Sequence, residues 1–355
     1  MLDFALVNSD IKPADETARK LAQAHWDAIA KPLNGLGKLE SAVTSIAALT
    51  GSARVDIGKR AVVVLCADNG VVCEGVTQTD ASVTATMAGQ IRDHRSSVCL
   101  MARAAGADVF AHDMGMLTCV EGVPGCHLAD GTANIAAGAA MTCEQAHAAI
   151  EYGIDLVRQY AQMGYNILVT GEMGIGNTTT SGAVAAALLN MPAQTVTGRG
   201  AGLSDSGLAR KCEVIRRAIE INRPDTSDPV DVLRKLGGFD IAGMVGIFIG
   251  GALYRVPVVV DGLISSVAAL VAARLCPNSR CAMIASHTSK EPAAGAILSE
   301  LKLDPIIYAD MKLGEGTGGV CMLPLLDMAL SVYNGSAAFT DTGIEQYRKL
   351  GGDGK

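Results

Sequence analysis

Short apolar runs rich in β-branched residues recur along the chain, each followed by glycine or polar residues and then by a helical pattern. They are residues 61–70 (AVVVLCADNG), 107–116 (ADVFAHDMGM), 166–174 (NILVTGEMG), 256–263 (VPVVVDGL), 282–289 (AMIASHTS) and 305–316 (PIIYADMKLGEG). Runs that are apolar on both faces and alternate with helices predict buried parallel strands in an α/β layered fold. The two chain ends read differently. Residues 13–50 show two helical patterns around a glycine-rich turn, and 321–350 read largely as helix. Residues 1–55 and 321–355 are therefore expected to form a small helical domain, and 56–320 a large α/β catalytic domain.

Polar groups stand at or just past the ends of these runs: Asp68, Asp113, Glu172, Asp261, Ser286 with His287, and Asp310. Ligands of open parallel sheets bind outside the carboxyl ends of the strands, so a row of such groups marks a site. GEMGIGNTTTSGA (171–183) links a strand to a helix and carries Gly174, Gly176, Asn177 and Thr178. Its glycines let backbone approach a ligand, and the N–H groups opening the helix favour an anion. It lacks the lysine of a Walker loop and the glycine spacing of a dinucleotide fingerprint. Residues 198–222 repeat the pattern, with Gly198, Gly200 and Gly202 before a capped helix carrying Lys211. A nest of N–H groups plus one ammonium suits a phosphate monoester. Ser286, Thr288, Ser289 and Lys290 stand at another strand end, and MKLGEGTGG (311–319) sets Glu315 between two glycines, three residues after Lys312.

Composition narrows the classes. The chain has 355 residues, 49% hydrophobic, enough for a large core. A formal net charge of −7 without a basic run argues against nucleic acid as partner. The ten cysteines are scattered, several in apolar segments (Cys66, Cys99, Cys212, Cys321), and form no disulfide framework, which points to a reducing cytoplasm. The most apolar stretch, 241–260, is broken by Arg255, and no membrane span or signal pattern is expected. The six histidines are dispersed and no metal-ligand spacing or G-x-S-x-G elbow occurs, so neither a metal, another cofactor nor a serine nucleophile is expected.

Taken together, KPLNGLGKLE (31–40), CADNGVVCEGV (66–76), GEMGIGNTTTSGA (171–183), GGFDIAGMVG (237–246), VVDGLISSVAAL (259–270) and MKLGEGTGG (311–319) closely resemble the nicotinate-nucleotide–dimethylbenzimidazole phosphoribosyltransferases. The resemblance runs from about residue 10 to about 335, with six motifs in the family's order. It implies a Rossmann-like parallel sheet flanked by helices, a small helical domain, and a homodimer or a heterodimer with a related subunit. It further implies transfer of the 5-phosphoribosyl group of nicotinate mononucleotide to an aromatic base, with inversion, giving the α-ribotide used in cobamides. On that resemblance Glu315 matches the general base, and Glu172 a second acid near the ribose. Gly174, Gly176, Asn177, Thr178, Gly200, Gly202, Lys211, Ser289 and Lys290 match the donor-nucleotide site, chiefly its phosphate. Lys312 stands where arginine is usual, keeping the charge without the bidentate fork. The chain departs from the family around its acceptor pocket: Thr79, Asp80 and Met87 replace a Ser-Pro pair and a glutamine, and Asn69 replaces a histidine. Met87 exchanges a hydrogen-bonding wall for a soft apolar one, which suits a phenol such as p-cresol as acceptor beside dimethylbenzimidazole. The rival readings are a catalytically silent partner subunit and an NAD-dependent oxidoreductase. The second lacks the ordered glycine fingerprint.

Overall fold

The computed structural model describes residues 1–347. Five strands form one parallel sheet: β1 (Arg60–Ala67), β2 (Asp108–Gly115), β3 (Ile167–Met173), β4 (Val258–Val260) and β5 (Met283–Ala285). Their order is β2-β1-β3-β4-β5, so the chain starts near one edge and crosses β1 to build the other half. Every residue of β1 is buried, as a strand covered on both faces requires. The register runs Val62↔Val109 on one side and Val62↔Val169 on the other, bringing Leu65 of β1 beside Glu172 of β3.

Five of the six apolar runs are strands, two of them only three residues long. The sixth, 305–316, is not a strand. It touches the sheet edge through a single parallel bridge between His287 and Ile307. Pro305 has no N–H to give, the Ile306 and Ile307 N–H groups both point to the Ser286 carbonyl, and Asp310 turns into the left-handed region at φ 51°. A ladder cannot continue through such a sequence.

Most of the most apolar segment becomes the helix Phe239–Leu253, buried at nearly every position and packed on the helix Cys143–Gln162, and its end supplies β4. A helix that is apolar all round belongs in a core. Among the described residues no helix is long and apolar enough to cross a membrane.

The described residues divide into two compact units, 1–12 with 57–322 and 13–56 with 323–347. The first twelve residues do not join the helical unit as the sequence suggested. Leu2 N–H donates to His147 Nδ1 at 3.1 Å, Phe4 stacks on His147, and Asn278 donates through its N–H and Nδ2 to the Asn8 Oδ1 and carbonyl, all within the larger unit. In the smaller unit the helices Glu16–Ala28 and Lys38–Thr50 bury Trp26, and the Tyr333 hydroxyl donates to the Ala53 carbonyl at 2.9 Å. The end of the chain expected as helix forms Thr317–Gly335 and the short Phe339–Thr342; residues 348–350 lie outside the described part.

Candidate active site

Beyond the carboxyl ends of β3, β4 and β5 lies a cavity of about 330 Å³. Glu172, Gly174, Gly176, Asn177, Thr178, Gly200, Lys211, Ser289, Lys312, Glu315, Thr79 and Met87 all line it. Two of the residues singled out in the sequence do not. Gly202 is not part of the wall, although Ala201 and Leu203 on either side of it are; its carbonyl accepts from Gln78 Nε2. Lys290 reaches outward to Asp310, Nζ to Oδ2 3.4 Å.

The row of strand-end groups splits in the same way. Glu172, Asp261 and His287 face the cavity. Asp68 instead accepts the Leu117 N–H at 2.8 Å, and Asp113 accepts those of Gly115 and Met116. Ser286 donates to the Val260 carbonyl at 2.6 Å. Asn69 also turns from the cavity, its Nδ2 donating to the Ile175 carbonyl at 3.4 Å.

Glu315 is held by an unusual backbone. Gly314, Glu315 and Gly316 have φ values of 87°, 60° and 91°. A non-glycine residue in this region is disfavoured, and its two glycine neighbours let the turn close around it. The turn lies directly on β3: a Cβ on Gly171 would come within 2.5 Å of the Glu315 carbonyl oxygen. The carboxylate accepts the Val98 N–H at 3.4 Å and is only 7% exposed. Burial, aided by the nearby charge of Asp261, raises its pKa, while the Val98 N–H opposes the rise.

Glu172 and Asp240 share one donor. Asn177 Nδ2 donates to Glu172 Oε2 and, at 2.9 Å, to Asp240 Oδ2. Burial, then the charge of Asp240, pushes Glu172 well above the usual carboxylate range; burial takes Asp240 itself to about 6. Two buried acids around one amide cannot both ionise cheaply, which favours the neutral form of Glu172. Asp240 was not singled out as a site residue in the sequence. Its signal was one carboxylate at the start of an otherwise apolar helix. Asp261 is fixed by the N–H groups of Gly319 at 2.8 Å and Gly316 at 3.3 Å, which ties β4 to the turn that bears Glu315.

On the far side Lys211 is 1% exposed, its Nζ donating to Thr178 Oγ1 at 2.8 Å. Burial lowers its pKa to about 8, against the pull of Glu291. The helix carrying it, Asp205–Asn222, is capped by Ser204, which accepts the Gly207 N–H at 3.1 Å. Gly200 lies over Lys211 and Thr178 with φ 51°. The Glu291 carboxylate enters this cradle: Oε1 accepts the Gly200 N–H, and Oε2 occupies the place a Gly198 Cβ would need. Glu291, too, was passed over in the sequence, although it stands next to Lys290.

A cavity at the strand ends, two carboxyls held above their usual range and a glycine-rich cradle with one buried lysine are arranged as a nucleotide-dependent transferase would use them. A family model described as phosphoribosyltransferase, DBI_PRT, matches residues 11–344. The nicotinate-nucleotide–dimethylbenzimidazole phosphoribosyltransferase of Acetivibrio thermocellus is 42% identical over 340 residues, 95% of each chain. The protein of the same name from Ruminiclostridium cellulolyticum is 42% identical over 351 residues, 98% of this chain and 100% of that one. The crystal structure of CobT from Thermus thermophilus superposes with a TM-score of 0.88 at 35% identity, covering 93% of this chain and all of the other. The chain belongs to the nicotinate-nucleotide–dimethylbenzimidazole phosphoribosyltransferase family and is a phosphoribosyltransferase.

Proposed function

We propose that the chain transfers the 5-phosphoribosyl group of nicotinate mononucleotide to dimethylbenzimidazole, releasing nicotinate and giving the α-ribotide for cobamide synthesis. The observation that carries this reading is the convergence of Glu315, Glu172 and the Lys211 cradle on one cavity. The names of the relatives at about 40% identity support the same donor and acceptor.

The donor phosphate lies against Gly200 and Thr178 with the Lys211 ammonium beneath it. Nicotinate on C1′ is a pyridinium, so breaking its C–N bond returns the electron pair to a ring nitrogen that becomes neutral. A leaving group of this kind needs no metal. The unprotonated ring nitrogen of the acceptor attacks C1′ from the opposite face, forming the new C–N bond with inversion, and the proton on its other ring nitrogen passes to Glu315. A base so placed contributes about 10²–10⁴-fold. Neutral Glu172 donates a hydrogen bond to a ribose oxygen and adds no second negative charge beside Glu315.

A phenolic acceptor is the second reading, and Met87 in the cavity wall favours it. Its thioether, a weak acceptor and no donor, supplies no amide-like partner for a ring nitrogen of a benzimidazole. With a phenol the reaction forms a C–O bond. The acceptor's pKa of about 10 then requires proton removal by Glu315 during the attack. Incubation with nicotinate mononucleotide and each acceptor, followed by mass identification of products, tests both. Ribotide from dimethylbenzimidazole alone removes the phenol reading, and no ribotide from either, alone or with a related subunit, overturns the function.

A further inference from the structure

We propose that Asp113, Cys119 and His127 form a metal site for a borderline divalent cation, zinc foremost, at the end of β2 and apart from the transfer cavity. Asp113 Oδ2 lies 2.9 Å from His127 Nδ1, and Cys119 Sγ lies 3.7 Å from the same nitrogen. All three donor atoms fall within 4.8 Å of one another. Zinc binds such atoms at about 2.0–2.3 Å, which spaces tetrahedral ligands by about 3.3–3.7 Å. Closing the present triangle onto an ion needs the carboxylate and the ring to part slightly and the exposed thiol to move in. None of the three residues lines the transfer cavity.

The groups behind these donors are arranged as metal sites require. Asp113 Oδ1 accepts the Gly115 and Met116 N–H groups at 2.8 and 2.9 Å, which leaves Oδ2 to face the ion. His127 Nε2 faces Asp130 Oδ1 at 3.1 Å, so a carboxylate orients the ring from behind. The backbone is braced as well: Asp113 N–H donates to the Pro124 carbonyl, and His127 N–H to the Asp113 carbonyl. Thiolate, imidazole and carboxylate together select zinc over magnesium or calcium, and three protein ligands leave a fourth position for water. Binding releases the thiol proton of Cys119, while His127 coordinates through Nδ1 as the tautomer that keeps its proton on Nε2, facing Asp130. The neighbouring Cys126 is half-buried with Sγ 3.9 Å from Met114 Sδ, packed away from the triangle.

The test uses the full chain without an affinity tag, stripped by a chelator. Cobalt(II) addition is expected to give one equivalent of a thiolate-to-cobalt absorption band, and zinc competition against a chromophoric chelator one site per chain. Cys119→Ser is expected to abolish the band and weaken zinc at least tenfold, Asp130→Asn to weaken zinc about tenfold, and Cys126→Ser to change neither. His127→Ala is expected to match Cys119→Ser. Should it fail to fold, the exposed Cys119 still decides the matter. No band with no competition, or binding that Cys119→Ser leaves intact, overturns the site.

Discussion

The Glu291 carboxylate accepts the N–H of Gly200 at 3.2 Å and so sits where the proposed donor phosphate must bind. The cradle holds one of the protein's own anions. Donor binding has to displace it or share the Lys211 charge with it. Glu291→Gln keeps the shape and removes the competing charge. Donor affinity is expected to rise about tenfold, equivalent to about 1.4 kcal/mol, with turnover little changed. Titration calorimetry with nicotinate mononucleotide checks this; weaker binding would make Glu291 a ligand of the donor instead of its competitor.

Glu315→Gln is expected to lower turnover by about 10²–10⁴-fold and to leave donor binding nearly intact. Product formation followed by mass, beside calorimetry of donor binding, separates the two effects. Turnover near that of the parent protein refutes the base.

The pH profile of kcat/KM for the donor is expected to be bell-shaped. Glu315 must be ionised to accept a proton and its pKa is raised, so activity falls with acid above the ordinary glutamate range of about 4.3. Lys211 titrates near 8, so affinity for the phosphate falls as pH rises through that value. In Lys211→Met the alkaline limb should vanish and donor KM should be high at every pH.

Gly171→Ala tests how the base is held. The new methyl would meet the Glu315 carbonyl oxygen at 2.5 Å, a backbone atom that cannot swing aside as a flexible side chain could. Loss of stability of about 1–3 kcal/mol is expected, with a fall in turnover close to that of Glu315→Gln. Denaturant unfolding measures the first and steady-state kinetics the second. Full activity would show that the turn has more freedom than its three positive φ angles indicate.

Met87→Gln is expected to shift acceptor preference toward dimethylbenzimidazole and away from phenols. Competition between the two acceptors in one reaction, read as the product ratio, checks it. An unchanged ratio removes Met87 from acceptor selection.

Much of this is legible in the residues. Five buried strands read as apolar runs because burial on both faces removes polar alternation, and Glu172 and Glu315 stand out because a carboxylate among glycines serves little in a core. The 305–316 run misleads, since hydrophobicity does not report Pro305 or the backbone at Asp310. Asp240 and Glu291 are passed over because one lies in an apolar helix and the other beside a more conspicuous lysine. Their importance is spatial: Asn177 and Gly200 reach them across 63 and 91 residues. The Asp113–His127 pair, 14 residues apart, carries no ligand motif at all.

The strand order β2-β1-β3-β4-β5 has a practical reading. Thr79 and Met87 hang on the connection between β1 and β2, whereas Glu172, Lys211, Ser289 and Glu315 come from β3 onward. On the proposed assignment, nucleotide handling and choice of aromatic partner are written in separate stretches of the chain. Grafting residues 76–91 from a relative should re-aim this enzyme at a different nucleophile while its sugar chemistry stays untouched.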